Sequence, residues 1–157
     1  MSQYSAHIEW QKAPNEVFID GRYNRVHQWH FDGGFSMPAS PSPMIVPSPF
    51  SNPDFVDPEE AFIASLASCH MLFFLHFAAD KGIVIERYSD NAIGELAKND
   101  NGKLCITGLT LKPEVILAEQ SIAHKKSLED LHHQAHEACF LACSVNFEIT
   151  IESQKTS

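Results

Sequence analysis

The longest run of apolar residues in the chain covers residues 57–82, and both of its ends carry the signals of a helix. Asp57 is a favourable N-cap, Pro58 suits the first helical position, and Glu60 stands where a capping box places its acid. At the other end, Gly82 is the residue type that most often terminates a helix. Because the run is apolar nearly all round, we expect this helix to be buried on most of its faces.

Alternation of apolar and polar residues predicts strands before and after this helix. The predicted strands cover residues 4–10, 16–19, 23–31, 83–98, 103–117 and 144–152. Turn residues at 32–34 and 99–102 interrupt the pattern, and the second of these turns is a strong hairpin signal. A second helix is predicted over about residues 127–141, where apolar side chains recur at helical spacing.

Seven of the nine prolines lie in residues 37–58, which predicts a long extended segment ahead of the first helix. Two helices with strands before, between and after them predict an α+β fold. A chain of 157 residues has the size of one domain, so we expect a single domain over residues 1–157.

The composition argues against several classes of function. A formal net charge of −9 without a basic stripe argues against binding to nucleic acid or to an anionic membrane. Serines and histidines interrupt the long apolar run, so we expect a buried helix and not a membrane span. The N-terminal residues have neither a basic start nor an apolar segment, so we expect no signal peptide and a cytoplasmic location. The four cysteines would then be reduced at rest.

Cys69 lies in the middle of the first predicted helix, flanked by a serine and a histidine. A thiol reacts as its thiolate, so a reactive Cys69 needs a nearby cation, and Arg25 and Arg22 are the candidates. Glu59 is suited to orient such an arginine through a bidentate ion pair. The alternative is that Cys69 is an inert buried thiol, as many free cysteines are.

Cys139 lies in the second predicted helix. If the two helices pack together, Cys69 and Cys139 meet, and such a pair suits a peroxidatic and a resolving thiol. Cys143 stands four residues later and competes for the resolving role if the helix continues. Cys105 lies in a predicted strand without polar neighbours of interest, and we expect it to be a small core residue.

The second helix also carries three histidines. His132, His133 and His136, together with Cys139, have spacings that a zinc site on one helix uses. The alternative is a solvated helix face on which His132 and His133 point in different directions. Metal analysis of the purified protein would decide this possibility.

Two segments resemble the cysteine motifs of the OsmC/Ohr family, the osmotically inducible and organic hydroperoxide resistance proteins. The first runs from Asp57-Pro58-Glu59-Glu60 to Ala67-Ser68-Cys69-His70, and the second from His136-Glu137-Ala138-Cys139 into Ser144-Val145. The order of the predicted elements is also similar to that of the family over nearly the whole chain. The chain departs from the common pattern at Phe140, where many members have proline, and at Cys143, where many have asparagine.

The resemblance implies an OsmC-like fold, in which two cysteine-bearing central helices pack against antiparallel sheets in an intertwined homodimer. It implies that Cys69 is the peroxidatic thiol, Cys139 the resolving thiol, and Glu59 the family's glutamate before the first cysteine. Arg25 is preferred to Arg22 because its strand is similar to that of an OsmC-like subgroup. The implied activity is that of a peroxidase, an antioxidant of the oxidative stress response, which reduces organic hydroperoxides and is reset by an external dithiol.

We therefore expect a homodimeric enzyme without a metal or organic cofactor, and without a nucleic-acid or membrane partner. Ten residues of helix separate Glu59 from Cys69 by ~15 Å, so we expect Glu59 to act across the dimer interface. The alternative from another class is a non-enzymatic protein that binds a lipid-like ligand in an apolar cleft at that interface.

Overall fold

The computed structural model describes residues 1–153, and its contacts divide the chain into two compact units. The units are Met1–Ala61 and Phe62–Ser157. The expected single domain over residues 1–157 stays a prediction.

The first unit contains a three-stranded antiparallel sheet. Its strands, in spatial order, are β1 (Ala6–Glu9), β2 (His27–Phe31) and β3 (Ser36–Ala39). Trp29 at the centre of β2 lies opposite Ile8 on one side and Met37 on the other. The predicted turn at residues 32–34 joins β2 to β3, and Gly34 supplies its positive φ of 83°.

The strand predicted over residues 16–19 is wrong, because a turn of 3₁₀ helix occupies Phe18–Asp20. The Asp20 carboxylate accepts the backbone N–H of Arg22 at 2.9 Å, and Gly21 follows with a φ of 73°. These local hydrogen bonds turn the chain where an alternating pattern alone would continue a strand.

The proline-rich segment begins inside β3 and continues as a series of turns and bends, so the predicted long extended segment is wrong beyond β3. It is closed at its base around Ser40, which is fully buried. The Ser40 hydroxyl accepts the N–H of Asn52 at 2.8 Å, and the Ser40 N–H donates to the carbonyl of Val56 at 3.0 Å. The two ends of this loop are therefore held together directly ahead of the first long helix.

The long helix α1 covers Pro58–Asp80, and its predicted capping box is confirmed. The N–H of Glu60 donates to the Asp57 carboxylate at 2.7 Å, and the N–H of Asp57 donates to the Glu60 carboxylate at 3.1 Å. Gly82 ends the helix with a φ of 69°, a conformation that favours glycine.

A single chain does not bury α1 on most of its faces. Only every fourth residue along one stripe is buried, namely Leu66, His70, Phe74 and Ala78. On another face Leu72 is 62% exposed. The chain supplies packing partners for one side of α1, and an evenly apolar sequence does not reveal which side that is. Within residues 1–153, α1 is the one helix that is long and apolar enough to cross a membrane.

The second unit contains two sheets. One pairs β4 (Ile85–Asp90) with β7 (Pro113–Leu117), and the other has the order β5 (Ile93–Lys98), β6 (Leu104–Leu111), β8 (Glu148–Ile151). The predicted hairpin at residues 99–102 connects β5 to β6, with the N–H of Asn99 donating to the carbonyl of Lys103 at 2.9 Å. The pairs β4–β7 and β5–β6 are antiparallel, whereas β8 runs parallel to β6.

The second helix, α2, covers Leu128–Ala138 and is preceded by a 3₁₀ segment at Glu119–Ser127. It is shorter than predicted, because Cys139 already has an extended backbone with ψ of 112°. Cys139 therefore follows the helix and does not lie in it. A further short 3₁₀ turn at Ala142–Ser144 leads towards β8, which begins later than predicted.

Two apolar clusters hold α1 against its neighbours in the second unit. The larger joins α1 to α2 and the β4–β7 sheet through Phe74, Ala78, Ile83, Val115, Leu131 and Ala135. The smaller joins α1 to β6 through Leu66, Leu109 and Leu111. At about 1.5–3 kcal/mol for each fully buried large apolar side chain, these contacts fix the position of α1. Gly94 on β5 allows a close approach of α1, since an added Cβ there would collide with Ile63.

Candidate active site

The second unit brings together two of the predicted site residues, Cys69 and Cys139. Cys69 is half-buried in the middle of α1, and Cys139 is buried directly after α2. Both are free cysteines, and their thiols lie close enough to interact. The backbone N–H of Ala142 also donates to the Cys139 sulfur at 3.4 Å. The structure thus places two reduced thiols side by side on separate elements.

The two thiols differ in their surroundings. Burial, and then the neighbouring Cys69 thiol, raises the pKa of Cys139 to about 11. Cys139 therefore keeps its proton near neutral pH.

Cys69 borders an apolar groove of about 530 Å³. The groove is lined by Ser65, Ser68, Cys69, Leu72, Phe73, His76, Phe140 and Leu141. Phe73 and Phe140 meet edge to face, with ring centroids 5.0 Å apart, and join the α1 side to the segment after α2. The groove is suited to the hydrocarbon part of a small molecule whose reactive end meets the thiol.

A buried histidine pair lies beside the thiols, and the sequence did not predict it. His70, the residue after Cys69, has its Nε2 at 3.0 Å from Nδ1 of His132, and the two rings are stacked with an interplanar angle of 7°. Burial lowers the pKa of each histidine to about 4, and for His70 the neighbouring His132 and His136 add to the effect. Both rings are therefore neutral near pH 7, and one of the facing nitrogens donates to the other.

The histidine pair ties α1 to α2 close to both thiols. His70 directly follows Cys69, and His132 lies on the helix that ends immediately before Cys139. The His132 ring also packs on Phe74, with centroids 4.3 Å apart. Within residues 1–153, Nδ1 of His70 is buried without a hydrogen-bond partner. The pair thus acts as a polar contact that fixes the relative position of the two cysteine-bearing segments.

The same arrangement argues against zinc on the second helix. His132 turns into the core against His70, whereas His133 is exposed and lies 3.5 Å from the Glu137 carboxylate. The predicted ligands therefore diverge. In the part of the chain that the structure describes, three or more metal-ligating side chains are nowhere grouped for a metal ion.

The other two cysteines have different environments. Cys105 is half-buried on β6. Cys143 is exposed, and its N–H donates to the carbonyl of Cys139 at 3.1 Å. Its sulfur has a long contact of 3.8 Å with the carbonyl of Glu137.

Arg25 and Arg22 both lie in the first unit. The Arg25 guanidinium donates to the carbonyls of Tyr23 and Gly21, each at 2.9 Å, and lies 4.0 Å from the centroid of the Tyr23 ring. Arg25 also borders an aromatic cavity of about 440 Å³ in this unit. Its role towards Cys69, and the choice between Arg25 and Arg22, stay predictions.

Glu59 stands in the first turn of α1 and is half-buried. Among residues 1–153 its carboxylate has neither a hydrogen-bond partner nor an ion-pair partner. The predicted pairing of Glu59 with an arginine likewise stays a prediction.

Comparison with known proteins identifies relatives of this chain. A family model described as OsmC-like protein matches residues 51–154. An OsmC-like protein of unknown function from Vibrio cholerae is 47% identical, with a TM-score of 0.95 over 98% of this chain and 100% of its own. No curated protein matches significantly. The predicted α+β, OsmC-like fold is therefore confirmed.

More distant solved structures share the fold. An organic hydroperoxide resistance protein from Legionella pneumophila is 15% identical, with a TM-score of 0.66 over 98% of this chain and 97% of its own. The organic hydroperoxide resistance protein OhrB of Bacillus subtilis is 18% identical, with a TM-score of 0.63 over 96% of this chain and 98% of its own. At these identities the likeness shows the fold alone.

Proposed function

The chain belongs to the OsmC-like protein family, and we propose that it is a thiol-dependent peroxidase that reduces organic hydroperoxides to alcohols. The observation that carries this proposal is the neighbouring pair of thiols, Cys69 and Cys139, beside an apolar groove. A thiol pair performs this reduction with its own sulfur atoms. The names of the distant relatives from L. pneumophila and B. subtilis agree with this class of substrate.

The first step is oxidation of Cys69. Its thiolate attacks the terminal oxygen of the hydroperoxide, the O–O bond breaks, and the organic oxygen takes a proton and leaves as an alcohol. Cys69 becomes a sulfenic acid, two electrons having passed from sulfur to the peroxide. The apolar groove holds the organic group, which favours a hydrocarbon hydroperoxide over hydrogen peroxide.

The second step is resolution by Cys139. Its sulfur attacks the sulfenic sulfur of Cys69, the S–O bond breaks, and the departing hydroxide takes the thiol proton to leave as water. Because burial raises the pKa of Cys139, this thiol is protonated until it reacts. An external dithiol then reduces the Cys69–Cys139 disulfide and returns both thiols.

We assign Arg25 and Glu59 to stabilising the Cys69 thiolate in a cytoplasmic homodimer. The groove side of α1 supports the dimer, because Leu72 and Phe140 are 62% and 73% exposed and a second copy would cover them. A guanidinium has five N–H donors, so the two carbonyl bonds of Arg25 leave donors for a carboxylate or a thiolate. Glu59 is ~15 Å from Cys69 along α1, which favours action from the partner subunit.

The test is steady-state reduction of cumene hydroperoxide and of hydrogen peroxide in excess dithiothreitol. We expect kcat/KM to be at least about tenfold higher for cumene hydroperoxide, since burying two CH₂ equivalents supplies about 1.4 kcal/mol or more. Cys69→Ser should abolish turnover, while the matched variant Cys105→Ser should retain it. Undiminished activity in Cys69→Ser would overturn the proposal.

The second candidate function is a non-enzymatic binding protein for a lipid-like ligand, and the apolar groove is the observation that favours it. The two functions differ in the fate of the thiols. A binding protein would take up a fatty acid or a fatty alcohol with Cys69 unchanged, whereas the peroxidase would consume the corresponding hydroperoxide. Binding of the non-peroxidic lipid without any hydroperoxide turnover would favour this second function.

A further inference from the structure

We propose that Cys143 completes a thiol relay, which moves the disulfide from the buried Cys69–Cys139 pair to an exposed Cys139–Cys143 pair. This inference rests on the proposed peroxidase function and adds the route by which reducing equivalents enter the site. It assigns a catalytic role to a third cysteine and identifies the place where the external dithiol attacks.

The relay gives an external dithiol protein a disulfide that it can reach. Cys139 is only 1% exposed, and its sulfur is further enclosed by the N–H of Ala142. The Cys139 sulfur of a Cys69–Cys139 disulfide would therefore be poorly reachable for a second protein, because exchange requires direct approach to the sulfur. The Cys69 sulfur lies at the apolar groove, where the substrate or its alcohol product competes for the same approach. Cys143 is the neighbouring cysteine that is exposed.

The backbone places Cys143 within disulfide range of Cys139. The hydrogen bond from the N–H of Cys143 to the carbonyl of Cys139, 3.1 Å long, closes one turn of chain. Residues four apart in such a turn have Cα atoms about 6 Å apart, which falls within the span of a disulfide. The turn lies outside α2, since Cys139 is already extended, so rotating the two side chains together does not break that helix.

Cys143 also faces an open groove. It lines a cavity of about 450 Å³ together with His133, His136, Glu137 and Ala142. The contact of its sulfur with the Glu137 carbonyl is long, at 3.8 Å, and a small rotation releases it. This groove differs from the apolar one beside Cys69, so a dithiol can approach Cys143 while the substrate groove is occupied.

The chemistry is balanced and needs no oxidant beyond the hydroperoxide. The Cys143 thiolate attacks the Cys139 sulfur of the Cys69–Cys139 disulfide, the bond to Cys69 breaks, and Cys69 leaves as a thiolate. One disulfide is exchanged for another without net oxidation, and Cys69 is ready for a further hydroperoxide. The external dithiol then reduces the Cys139–Cys143 disulfide and is itself oxidised to a disulfide.

The test follows the disulfides in time. Reduced protein is treated with one equivalent of cumene hydroperoxide, quenched in acid, alkylated and digested with trypsin without reduction. Trypsin leaves Cys69 in residues 26–81, and both Cys139 and Cys143 in residues 127–155. A disulfide between the two peptides therefore reports the Cys69 bond, and fragmentation shows which of the two later cysteines is alkylated. A disulfide inside residues 127–155, with Cys69 alkylated, reports the relayed bond.

In the wild type we expect the Cys69–Cys139 disulfide first and the Cys139–Cys143 disulfide later, with Cys69 returning to the alkylatable form. In Cys143→Ser the Cys69–Cys139 disulfide should be the final product. Thioredoxin should reduce this disulfide at least about tenfold more slowly than it reduces the oxidised wild type. Cys105→Ser, the matched control, should behave as the wild type. A final Cys69–Cys139 disulfide with free Cys143, or a Cys69–Cys143 disulfide, overturns the relay.

A parallel oxidation with diamide separates this inference from the proposed function. Diamide forms disulfides without peroxidase chemistry. If hydroperoxide leaves Cys69 reduced while diamide yields the Cys139–Cys143 disulfide, the peroxidase proposal fails and the bonding of these two thiols stands. If hydroperoxide oxidises Cys69 and neither oxidant yields that disulfide, the relay fails and the peroxidase stands.

Discussion

The two sides of α1 have nearly the same composition and opposite environments. One side, the closed stripe, consists of Leu66, His70, Phe74 and Ala78, which are buried against β6, the β4–β7 sheet and α2. The other side, the open face, carries Cys69 and exposed Leu72 along the apolar groove. A single helix thus serves both as the packing core of its unit and as the wall of the candidate site.

One side of α1 is fixed by packing, and the other side is accessible to a substrate. The closed stripe contributes His70 to a polar pair, in which Nε2 of His70 is hydrogen-bonded to Nδ1 of buried His132 at 3.0 Å. The open face holds the nucleophile one residue away, with apolar surface that a substrate or a second copy can cover. Because the opposite side of the helix is packed against other elements, the thiol is held in a constant position, as a catalytic group requires.

The largest expected effect is loss of stability when the closed stripe is truncated. Phe74 is fully buried in the main apolar cluster. Phe74→Ala should lower the free energy of unfolding by about 3–5 kcal/mol, because it removes buried area and leaves a cavity. Urea denaturation followed by circular dichroism measures this change.

The matched variant on the open face is Leu72→Ala. Leu72 is 62% exposed, so its truncation should lower the stability of the subunit's own fold by less than about 1 kcal/mol. Equal losses for Phe74→Ala and Leu72→Ala would contradict the distinction between the two sides.

The second expected effect is a change of oligomeric state when the open face is altered. If a second copy covers it, Leu72→Glu places a carboxylate in that interface and should convert the homodimer to a folded monomer. Light scattering gives the mass and circular dichroism confirms the fold. Leu72→Met, which conserves the apolar volume, should stay dimeric. A wild type that is monomeric at all accessible concentrations would refute the proposed dimer.

The elements of the fold were predictable because local signals mark them. The capping box at Asp57 and Glu60, Gly82 and the hairpin at residues 99–102 each act through neighbouring residues. The failed strand at residues 16–19 has a local cause too, since the Asp20 carboxylate and Gly21 turn the chain. Such a turn is hard to distinguish from a strand by alternation of apolar residues alone.

Two features of the site were not predictable for a physical reason. The buried side of α1 depends on which face the sheets and α2 cover, and an evenly apolar helix has no preferred face. The His70–His132 contact joins residues 62 positions apart, and each histidine looks polar and exposed when it is viewed in its own segment. The meeting of Cys69 and Cys139 was predicted only on the condition that the two helices pack together.

A smaller expected effect is a decrease in the free energy of unfolding at acid pH. Burial lowers the pKa of His70 and of His132 to about 4, against 6.5 for an ordinary histidine. The unfolded chain therefore binds protons that the folded chain excludes, so stability should fall as the pH decreases from about 6.5 to about 4 and level off below. We call this decrease the acid limb of the curve of unfolding free energy against pH. The double variant His70→Gln/His132→Gln should make the acid limb less steep.

The control for the acid limb is His133→Gln, since His133 is exposed on the other face of α2. Its unfolding free energy should keep the wild-type dependence on pH. Urea titrations at a series of pH values between 4 and 7 compare the three proteins. An acid limb that is unchanged in the double variant would show that the buried pair does not set it.

The central claim is that a hydroperoxide oxidises Cys69 and that Cys139 captures the product. Intact-mass measurement of reduced protein after one equivalent of cumene hydroperoxide tests it most directly. The wild type should lose two hydrogen atoms, Cys139→Ser should hold a sulfenic acid that dimedone labels on Cys69, and Cys69→Ser should show no change at this dose. A wild-type mass that is unchanged, or the same two-hydrogen loss in Cys69→Ser, would contradict the claim.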